Sequence, residues 1–375
     1  MNLSVVRALV VVVLVGLAVP ASHAATVYTG DRIQGVRVIS QLDVNDLEPG
    51  KTHRLMFQGV EMGTGQHWYV PVMAAKGAEA GKRVLLVAGV HGDELNPIGV
   101  LQRVFADLDA TKLSGAVIGI IGLSRPGVEY VTRGWPWTDL GKTLVNPNRT
   151  WPGEESGNPV ERHSWLVMNR LIKGNADVGV DFHTGGNGID FALFAFANAK
   201  DKEAQQLAQL FPIDQILLEP GFDGTLEYAL VRAGIPAITL ELGGPRSFVP
   251  EMIRVGVEGV ENMLAHYKMM DRPLGQTAKD RQVFIGNQLV DMFAANSGFT
   301  EVLVKLNETV KKGQKVAVQR NAFGAVVHEY IATSDGRVAI IGTDAIRERG
   351  VDVVSILTSS SECGASGCPY DGDVP

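Results

Sequence analysis

Cysteine is scarce in this sequence: Cys363 and Cys368 are the two among 375 residues. A scaffold held together by several disulfides is therefore excluded. In an exported protein, two cysteines this close together most simply form a local disulfide. Metal binding by the pair is the less favoured alternative, because no histidine and no further cysteine lies nearby in the sequence.

A strong charge of either sign is also missing. The 34 basic and 41 acidic residues give a formal net charge of −7 at pH 7. This mildly acidic balance gives no reason to expect nucleic acid or anionic lipid as a partner. With 45% hydrophobic and 20% charged residues, the composition is that of an ordinary globular protein. The length allows one large core and a smaller module.

Long apolar runs are absent apart from one at the N-terminus. Residues 8–19 are apolar, but this run is too short to span a membrane comfortably. Ser22 and Ala24 are small residues at the −3 and −1 positions of a cleavage site before Ala25. We therefore predict a signal peptide over residues 1–24, a periplasmic or secreted protein, and no membrane association after cleavage. An uncleaved membrane anchor is the alternative.

The first candidate metal ligands follow an apolar run at residues 84–88. The run has the length and β-branched content of a buried strand, and His91 and Glu94 follow it. Open α/β sheets bind ligands at the carboxyl ends of their strands. If a helix begins near Glu94, the imidazole and the carboxylate project from one turn and can bind one metal ion. Taken alone, the pattern more often marks an exposed histidine and a solvated glutamate.

Two further apolar strands end in polar residues. Residues 176–186 include His183, the predicted third metal ligand, with Asp181 on the same strand face as its outer partner. A lone histidine here would more often be a satisfied core residue. Residues 235–244 carry Glu241 near their end, where an unpaired carboxylate is costly unless it faces a polar site. Burial there tends to raise the pKa of the carboxyl group, which suits proton transfer.

Strands and helices alternate along the chain, which predicts an α/β fold with a mixed, largely parallel sheet flanked by helices. The predicted elements are edge strands within 25–81 with a turn at 77–82, strands at 84–88, 116–123, 176–183, 191–197 and 235–244, and helices at 98–108, 162–172, 202–211, 226–234 and 255–269. Short valine- and glycine-rich segments then indicate a small β barrel or sandwich. We predict a catalytic domain at 25–272, a C-terminal β domain at 273–358 and a tail at 359–375.

A long connection at residues 124–159 is rich in proline, glycine and tryptophan. Loops of this length are usually functional or disordered, and the tryptophans argue against disorder. Arg133, Asn148 and Arg149 stand out within it, because a guanidinium fork and an adjacent amide suit a substrate carboxylate. For any one arginine, a surface charge is the simpler interpretation.

Four motifs, which are HGDE, the NR pair followed by WPG, DFHT and ITLELGG in chain order, resemble the succinylglutamate desuccinylase/aspartoacylase branch of the zinc carboxypeptidases. The resemblance covers about residues 66–270, and the combination is specific although each motif is weak. It implies a zinc carboxypeptidase-like catalytic domain followed by the C-terminal β domain of the same family. Two departures stand out: Asn146-Pro147 replaces the common Asp-Leu, and Glu227 stands where relatives often carry arginine.

The resemblance also implies roles for individual residues. Carried onto this chain, these are zinc ligation by His91, Glu94 and His183, general base and acid catalysis by Glu241, binding of the substrate carboxylate by Asn148 and Arg149, and a position near the developing oxyanion for Arg133. The cofactor implied is one zinc ion.

The function predicted from the sequence is an exported zinc-dependent deacylase. It would hydrolyse an amide bond of an N-acyl amino acid or a related small molecule that carries a carboxylate. One alternative is a periplasmic metallocarboxypeptidase acting on peptides or peptidoglycan, which export favours. Another is a non-catalytic zinc- or ligand-binding protein, against which Glu241 argues. The sequence leaves the acyl group, the amino acid and the assembly of the chain into a homo-oligomer open.

Overall fold

The computed structural model describes residues 25–136, 144–363 and 367. The predicted signal peptide of residues 1–24 lies outside the described residues, and so does Cys368. The export signal and the disulfide with Cys363 therefore stay predictions. Within the described part of the chain, no helix has both the length and the apolar character that crossing a membrane requires.

The described strands and helices are labelled in chain order. The strands up to the end of the main sheet are β1 Val27–Ile33, β2 Val36–Gln41, β3 Lys51–Glu61, β4 His67–Lys76, β5 Glu79–Ala88, β6 Ser114–Ile121, β7 Trp135–Pro136, β8 Leu144–Val145, β9 Val178–His183, β10 Ile189–Phe191, β11 Leu193–Asn198, β12 Gln215–Glu219, β13 Ala237–Leu242 and β14 Phe284–Gly286. The remaining strands are β15 Gln288–Phe293, β16 Gly298–Val302, β17 Thr309–Val310, β18 Lys315–Arg320, β19 Val326–Ile331, β20 Gly336–Gly342, β21 Ile346–Arg347 and β22 Asp352–Thr358. The α-helices are α1 Asn96–Asp107, α2 Arg125–Tyr130, α3 Pro159–Val167, α4 Lys202–Gln209, α5 Leu226–Arg232 and α6 Pro250–His266.

A mixed sheet runs through the catalytic part of the molecule. Its strands follow the order β1-β2-β3-β4-β6-β5-β9-β13-β11-β12-β14. The central strands β6, β5, β9 and β13 are parallel neighbours, whereas β4 runs antiparallel to β6 and β11 runs antiparallel to β13. The predicted mixed, largely parallel sheet flanked by helices is therefore confirmed. Residues 25–81 supply its outer strands β1 to β4.

Side chains alternate between the two faces of this sheet, and each face has its own apolar core. Val180 and Phe182 of β9 are fully buried in the core shared with α1 and α6. Burying each such side chain contributes about 1.5–3 kcal/mol. Asp181 and His183 project to the opposite face, because strand side chains alternate with a period of two. There α3 and α5 pack over the sheet, with Leu230 of α5 in the second core. The polar side chains of β9 thus collect under α5.

The C-terminal strands form a small β sandwich beside the main sheet. One of its sheets has the order β10-β20-β22-β15, with β17 paired to β20, and the other has the order β19-β18-β16-β21. The C-terminal β domain is therefore confirmed, while its exact bounds stay a prediction. The two parts also exchange strands, because β10 pairs with β20 and β14 pairs with β12. Phe194 and Phe196 of β11 share an apolar cluster with Ile340 and Leu357.

Several local predictions differ from the structure. Residues 77–82, predicted as a turn, contain the start of β5. Gly81 permits a close approach of β6 rather than a reversal of the chain, because a Cβ there would lie 2.8 Å from the backbone of Ser114. The connection at residues 124–159 contains α2 and the short pair β7–β8. Strand β12 occupies a segment for which the sequence analysis predicts no strand.

Candidate metal centre and active site

Three buried residues lie together at the carboxyl ends of β5 and β9. Nδ1 of His91 is 2.8 Å from Oε1 of Glu94, and Nδ1 of His183 is 2.8 Å from Oε2 of the same carboxylate. One potential ligand atom from each residue lies within 4.8 Å of the others. The structure thus brings together the three residues predicted as metal ligands. Two imidazoles and a carboxylate are the donor set of many catalytic zinc sites.

The turn that carries His91 and Glu94 depends on glycine. Gly89 has a positive φ of 75°, and a Cβ at Gly92 would lie 1.8 Å from the backbone of Gly127. A side chain at either position would push the turn out of place. Helix α1 begins at Asn96, two residues after Glu94, so His91 and Glu94 both lie in the turn that leads into the helix.

The outer ring nitrogens of both histidines face oxygen atoms. Nε2 of His91 lies 3.0 Å from Oδ1 of Asn146, and Nε2 of His183 lies 2.9 Å from Oδ2 of Asp181. Histidines that bind metal usually donate their second N–H to such an oxygen, which sets the tautomer and turns the other nitrogen toward the metal. Asp181 occupies the predicted outer position. Asn146 was not predicted in this role, although the sequence places it two residues before Asn148.

The charges of this cluster compensate one another. Burial opposes ionisation of Glu94, but His91 and His183 outweigh it and hold the pKa of the carboxyl group below its ordinary value. Burial likewise opposes protonation of His183, but Asp181 and Glu94 hold its pKa well above the ordinary value. Burial, with help from Arg133, lowers the pKa of His91 to about 4. A neutral imidazole at His91 suits metal ligation, which requires a free lone pair.

Arg133 reaches the cluster from the long connection. Its Nη1 is 2.8 Å from Oε1 of Glu94. Gly186 leaves room for the guanidinium, since a Cβ at that residue would lie 3.3 Å from Arg133 Nη1. The structure therefore places Arg133 at the metal cluster, and its role beside a developing oxyanion stays a prediction.

Glu241 lies on the neighbouring strand at the level of His183, with which it pairs in the parallel ladder of β9 and β13. Its side chain is 3% exposed, and Oε2 has no hydrogen-bond partner among the described residues. Burial raises the pKa of Glu241 to about 8; Glu94 acts in the same direction, while His183 and Arg133 oppose the shift. A carboxyl group with a pKa near neutrality can accept and return a proton.

Asn148 and Arg149 form a short turn against α5. Oδ1 of Asn148 accepts a hydrogen bond from the backbone N–H of Leu226 at 2.9 Å, which leaves its amide nitrogen 3.5 Å from Nε2 of His183. The guanidinium of Arg149 lies 4.5 Å from the ring centroid of Phe222, and Nη1 donates to the carbonyl of Asn148 at 2.7 Å. The structure places Asn148 beside the metal cluster, while Arg149, next to it in the chain, stacks on Phe222; their role in binding a carboxylate stays a prediction.

A small pocket lies between the sheet and α5, with a cavity volume of about 20 Å³. Its lining residues are His91, Asn148, His183, Phe196, Glu219, Phe222, Thr225, Glu227, Thr239 and Glu241. Across the sheet, Thr239 pairs with both Asp181 and Phe196. Glu219 pairs with Asn198, which lies four residues along β11 from Phe194, the residue in the row of Glu241 and His183. At about 3.3 Å per residue, Glu219 lies roughly 13 Å along the strands from the row of His183.

Glu219 and Glu227 are acidic pocket residues to which the sequence analysis assigned no role. Glu219 ends β12 and Glu227 lies in the first turn of α5; both are buried. Burial raises the pKa of Glu219 to about 7, and burial together with Glu219, Asp181 and Asp201 raises that of Glu227 well above its ordinary value. A signal for Glu219 was present, because residues 215–219 are another apolar run that ends in a polar residue.

Comparisons with known proteins agree with this geometry. The sequence model of the succinylglutamate desuccinylase/aspartoacylase catalytic domain matches residues 80–267. An N-alpha-acetyl-L-2,4-diaminobutyric acid deacetylase of Halomonas elongata is 28% identical over 281 residues, which cover 72% of this chain and 80% of the relative. A succinylglutamate desuccinylase of Pseudomonas paraeruginosa is 30% identical over 220 residues, which cover 54% of this chain and 64% of the relative.

Solved structures share the fold. The product-bound ectoine utilization protein EutE (DoeB) of Ruegeria pomeroyi superposes with a TM-score of 0.72 at 23% identity, covering 84% of this chain and 97% of that one. A succinylglutamate desuccinylase/aspartoacylase of Rhodobacter sphaeroides gives a TM-score of 0.74 at 20% identity, covering 85% and 98%. Both superpositions extend over most of each chain, so they bear on the architecture of the whole described molecule.

Proposed function

Because the chain belongs to the succinylglutamate desuccinylase/aspartoacylase family, we propose that it is an exported, zinc-dependent deacylase that hydrolyses the amide bond of N-acyl amino acids. Its similar curated relatives are named as deacylating hydrolases. One observation carries the proposal: a buried His91–Glu94–His183 cluster lies beside Glu241, whose Oε2 has no partner among the described residues. Proton transfer needs a carboxyl group of this kind next to the reacting bond.

The residues of the cluster fit a zinc ion. Nδ1 of His91 and Nδ1 of His183 both face Glu94, while their outer nitrogens face Asn146 and Asp181. When bound there, zinc would supply Lewis acidity toward the amide carbonyl and make water a stronger acid. Nitrogen and carboxylate oxygen donors without thiolates are also compatible with other transition metals, so zinc is the metal that we propose on chemical grounds and family membership.

Glu241 is the proposed proton carrier. In the hydrolysis, the water oxygen forms a bond to the acyl carbon and gives one proton to the carboxylate of Glu241. The carbon–nitrogen bond then breaks, and the same proton passes to the leaving nitrogen. The products are a carboxylic acid and a free amine. A pKa near 8 allows the group to perform both transfers, because neither protonation state is strongly disfavoured.

The arginines are proposed to hold the substrate. Arg133, within 2.8 Å of Glu94, would stabilise negative charge that develops on the acyl oxygen. Arg149 and the amide of Asn148 would bind the carboxylate of the amino acid, since a planar fork and an amide donor match its two oxygens. The segment at residues 1–24 supports export.

The experiment is a hydrolysis screen with the full exported protein. Release of free amine is measured for N-acetylaspartate, N-succinylglutamate, Nα-acetylated neutral and basic amino acids, and a dipeptide. The proposal expects turnover of at least one N-acyl amino acid, loss of turnover after chelation, and recovery on adding zinc. Turnover that survives removal of all metal, or a zinc-loaded protein that cleaves only the dipeptide, would contradict it.

A further inference from the structure

A loop behind the metal cluster is bound by the C-terminal β domain. The loop at residues 184–188 connects His183, the last residue of β9, to β10. Strand β10 pairs with β20 of the β domain, so the loop lies where the two parts of the molecule meet. The carbonyl of Gly188 accepts two hydrogen bonds from the β domain, one from the backbone N–H of Thr343 at 2.8 Å and one from Nη2 of Arg347 at 2.7 Å. Arg347 thus fixes the end of the loop from a separate sheet.

Arg347 is built into this interface. It ends the short strand β21, and its side chain is 3% exposed. The guanidinium packs against glycine, since a Cβ at Gly342 would lie 2.3 Å from Nη2. Burial lowers the pKa of Arg347, while Asp344 and Asp352 oppose the shift. Because a buried charge is costly, an apolar side chain would serve better at an interface that needs packing alone. The hydrogen bond to the loop gives the buried arginine a reason to be there.

The other side of the loop contacts the metal cluster and its arginine. The backbone N–H of Thr184 donates to Oε2 of Glu94 at 3.2 Å. Gly186 faces Arg133, because a Cβ at Gly186 would lie 3.3 Å from Nη1 and 3.4 Å from Cδ of that arginine. The same Nη1 is 2.8 Å from Oε1 of Glu94. The loop therefore forms the surface against which the side chain of Arg133 packs while it reaches the metal cluster.

The two sides of the loop are linked by a tight turn. The backbone N–H of Ile189 donates to the carbonyl of Gly186 at 3.0 Å. Packing within the turn is close, since a Cβ at Gly185 would lie 2.4 Å from the carbonyl oxygen of Ile189. Closely packed protein interiors transmit displacements instead of absorbing them. A shift of Gly188 is therefore passed on to Gly186 and to the guanidinium that rests on it.

We propose that Arg347 is a positioning residue for catalysis: through the carbonyl of Gly188 it fixes the loop at residues 184–188, and the loop fixes the guanidinium of Arg133. The kinetic consequence rests on the proposed function, in which Arg133 lies beside the acyl oxygen. A group displaced by about 1 Å from its productive position can lower a rate by about 10²-fold. The C-terminal β domain thereby contributes to the chemistry through another residue, without a catalytic group of its own.

The first test is kinetic. Arg347→Met removes the charge and the donor, and Arg347→Lys keeps the charge but loses the planar fork. We would measure kcat, KM and metal content with the N-acyl amino acid that the wild type hydrolyses best. Arg347→Met should lower kcat by about tenfold or more at nearly constant KM and metal content, and Arg347→Lys should be intermediate. A lower unfolding midpoint with unchanged kcat would mean that Arg347 only stabilises the interface, which overturns the proposal.

The matched control is Arg337→Met. Arg337 lies on β20 and also donates from the β domain to the catalytic part, to the carbonyl of Asp214 at 3.5 Å. Its removal should leave kcat within about twofold of the wild type. A double-mutant cycle then tests the path: in an Arg133→Ala background, Arg347→Met should lower kcat by less than about threefold. Equal losses with and without Arg133 overturn the proposal. If Arg347→Met does not fold, Arg347→Lys takes its place in the cycle.

Crystal structures separate this inference from the proposed function. The metal-free wild type and Arg347→Met would be compared at the contact of 2.8 Å between Nη1 of Arg133 and Oε1 of Glu94. A guanidinium displaced by about 1 Å or more, together with the loop at residues 184–188, supports the proposal even if no N-acyl amino acid is hydrolysed. A guanidinium that keeps its place overturns the proposal, and it does so whether or not the protein is a deacylase.

Discussion

The carboxyl groups of Glu94 and Glu227 are both buried, yet their surroundings are opposite. Glu94 contacts the two histidines and Arg133 through its two oxygens, and its pKa is lowered. Oε1 of Glu227 has no hydrogen-bond partner among the described residues, and burial together with acidic neighbours raises the pKa of Glu227. The same type of side chain at a similar degree of burial thus favours the ionised form at Glu94 and the protonated form at Glu227. The difference lies in the neighbours, because burial alone would raise the pKa of both carboxyl groups.

The contrast between Glu94 and Glu227 suggests that the two carboxyl groups have different roles. At the metal end, compensation holds the ligands in a fixed arrangement before any substrate arrives. Around Glu227, burial and the neighbouring acids favour the protonated carboxyl group. Glu241 lies beside the metal row and is intermediate, since His183 and Arg133 lower its pKa while burial and Glu94 raise it. An intermediate pKa is what a proton carrier needs.

Replacing Glu241 by glutamine should have the largest effect. The amide has nearly the same shape but cannot carry the proton, so kcat should fall by about 10²–10⁴-fold. The metal content should stay near that of the wild type, because Glu241 is not among the three clustered ligands. Steady-state kinetics together with metal analysis would check both expectations. Near-normal turnover with metal bound would remove Glu241 from the mechanism.

Removing the charge of Asp181, which lies beside the metal cluster, should weaken metal binding. Asp181→Asn removes the carboxylate that lies 2.9 Å from Nε2 of His183. Outer partners of this kind typically contribute about 10–100-fold to metal affinity. Competition with a chelator of known affinity would measure the change. Thr239→Val provides a control on the neighbouring strand at the same level of the sheet, and it should retain the metal. If Asp181→Asn and the wild type bind the metal with equal affinity, Asp181 does not stabilise His183 as a metal ligand.

Removing the buried acid Glu219 should change how the stability of the protein depends on pH. The pKa of Glu219 is about 7 in the folded protein against an ordinary value of 4.5. The folded state therefore holds this proton more tightly than the unfolded state. The resulting stabilisation is fully present below pH 4.5 and is lost as the pH rises through 7. At about 1.4 kcal/mol per pKa unit, the loss is on the order of 3 kcal/mol.

Glu219→Gln should accordingly flatten the decline of stability between pH 5 and pH 8. Urea unfolding of the metal-free protein at the two pH values would measure it, and working without metal avoids the pH dependence of metal binding. The exposed Glu155→Gln should change stability equally at both pH values. A wild type and a Glu219→Gln variant with the same pH dependence would show that Glu219 has no raised pKa.

Arg149→Ala should have the smallest effect, and it separates substrate binding from the chemical step. Its guanidinium stacks on Phe222 and is proposed to hold a carboxylate remote from the reacting bond. We expect KM to rise by about tenfold with kcat changed little, since charge-assisted hydrogen bonds contribute roughly 1.5–3 kcal/mol. Arg232→Ala is the matched control, because that guanidinium stacks on Tyr228 outside the pocket lining. A fall in kcat at constant KM would place Arg149 in the chemical step.

The parts predicted correctly from the sequence have identifiable physical causes. The alternation of strands and helices follows from the local periodicity of apolar residues. The meeting of His91 with His183 follows from the rule that the carboxyl ends of parallel strands lie at one edge of the sheet. The prediction of a turn at residues 77–82 was wrong, because glycine occurs both where the chain reverses direction and where two strands pack closely. The helix predicted at residues 98–108 begins at Asn96. A sequence pattern predicts that a helix is present more accurately than it predicts the first residue of that helix.

By itself, the sequence determined the fold class and the residues that gather at the metal edge, because both depend on local periodicity and on where apolar runs stop. Only the tertiary structure decided the state of each charged group. Glu219 joins the pocket because β12 lies beside β11, and Glu227 joins it because α5 covers the sheet. The energy of a buried charge depends on the groups around it in space, whatever their distance along the chain. For that reason, the meeting of Glu219 and Glu227 in one pocket could be recognised only from the tertiary structure.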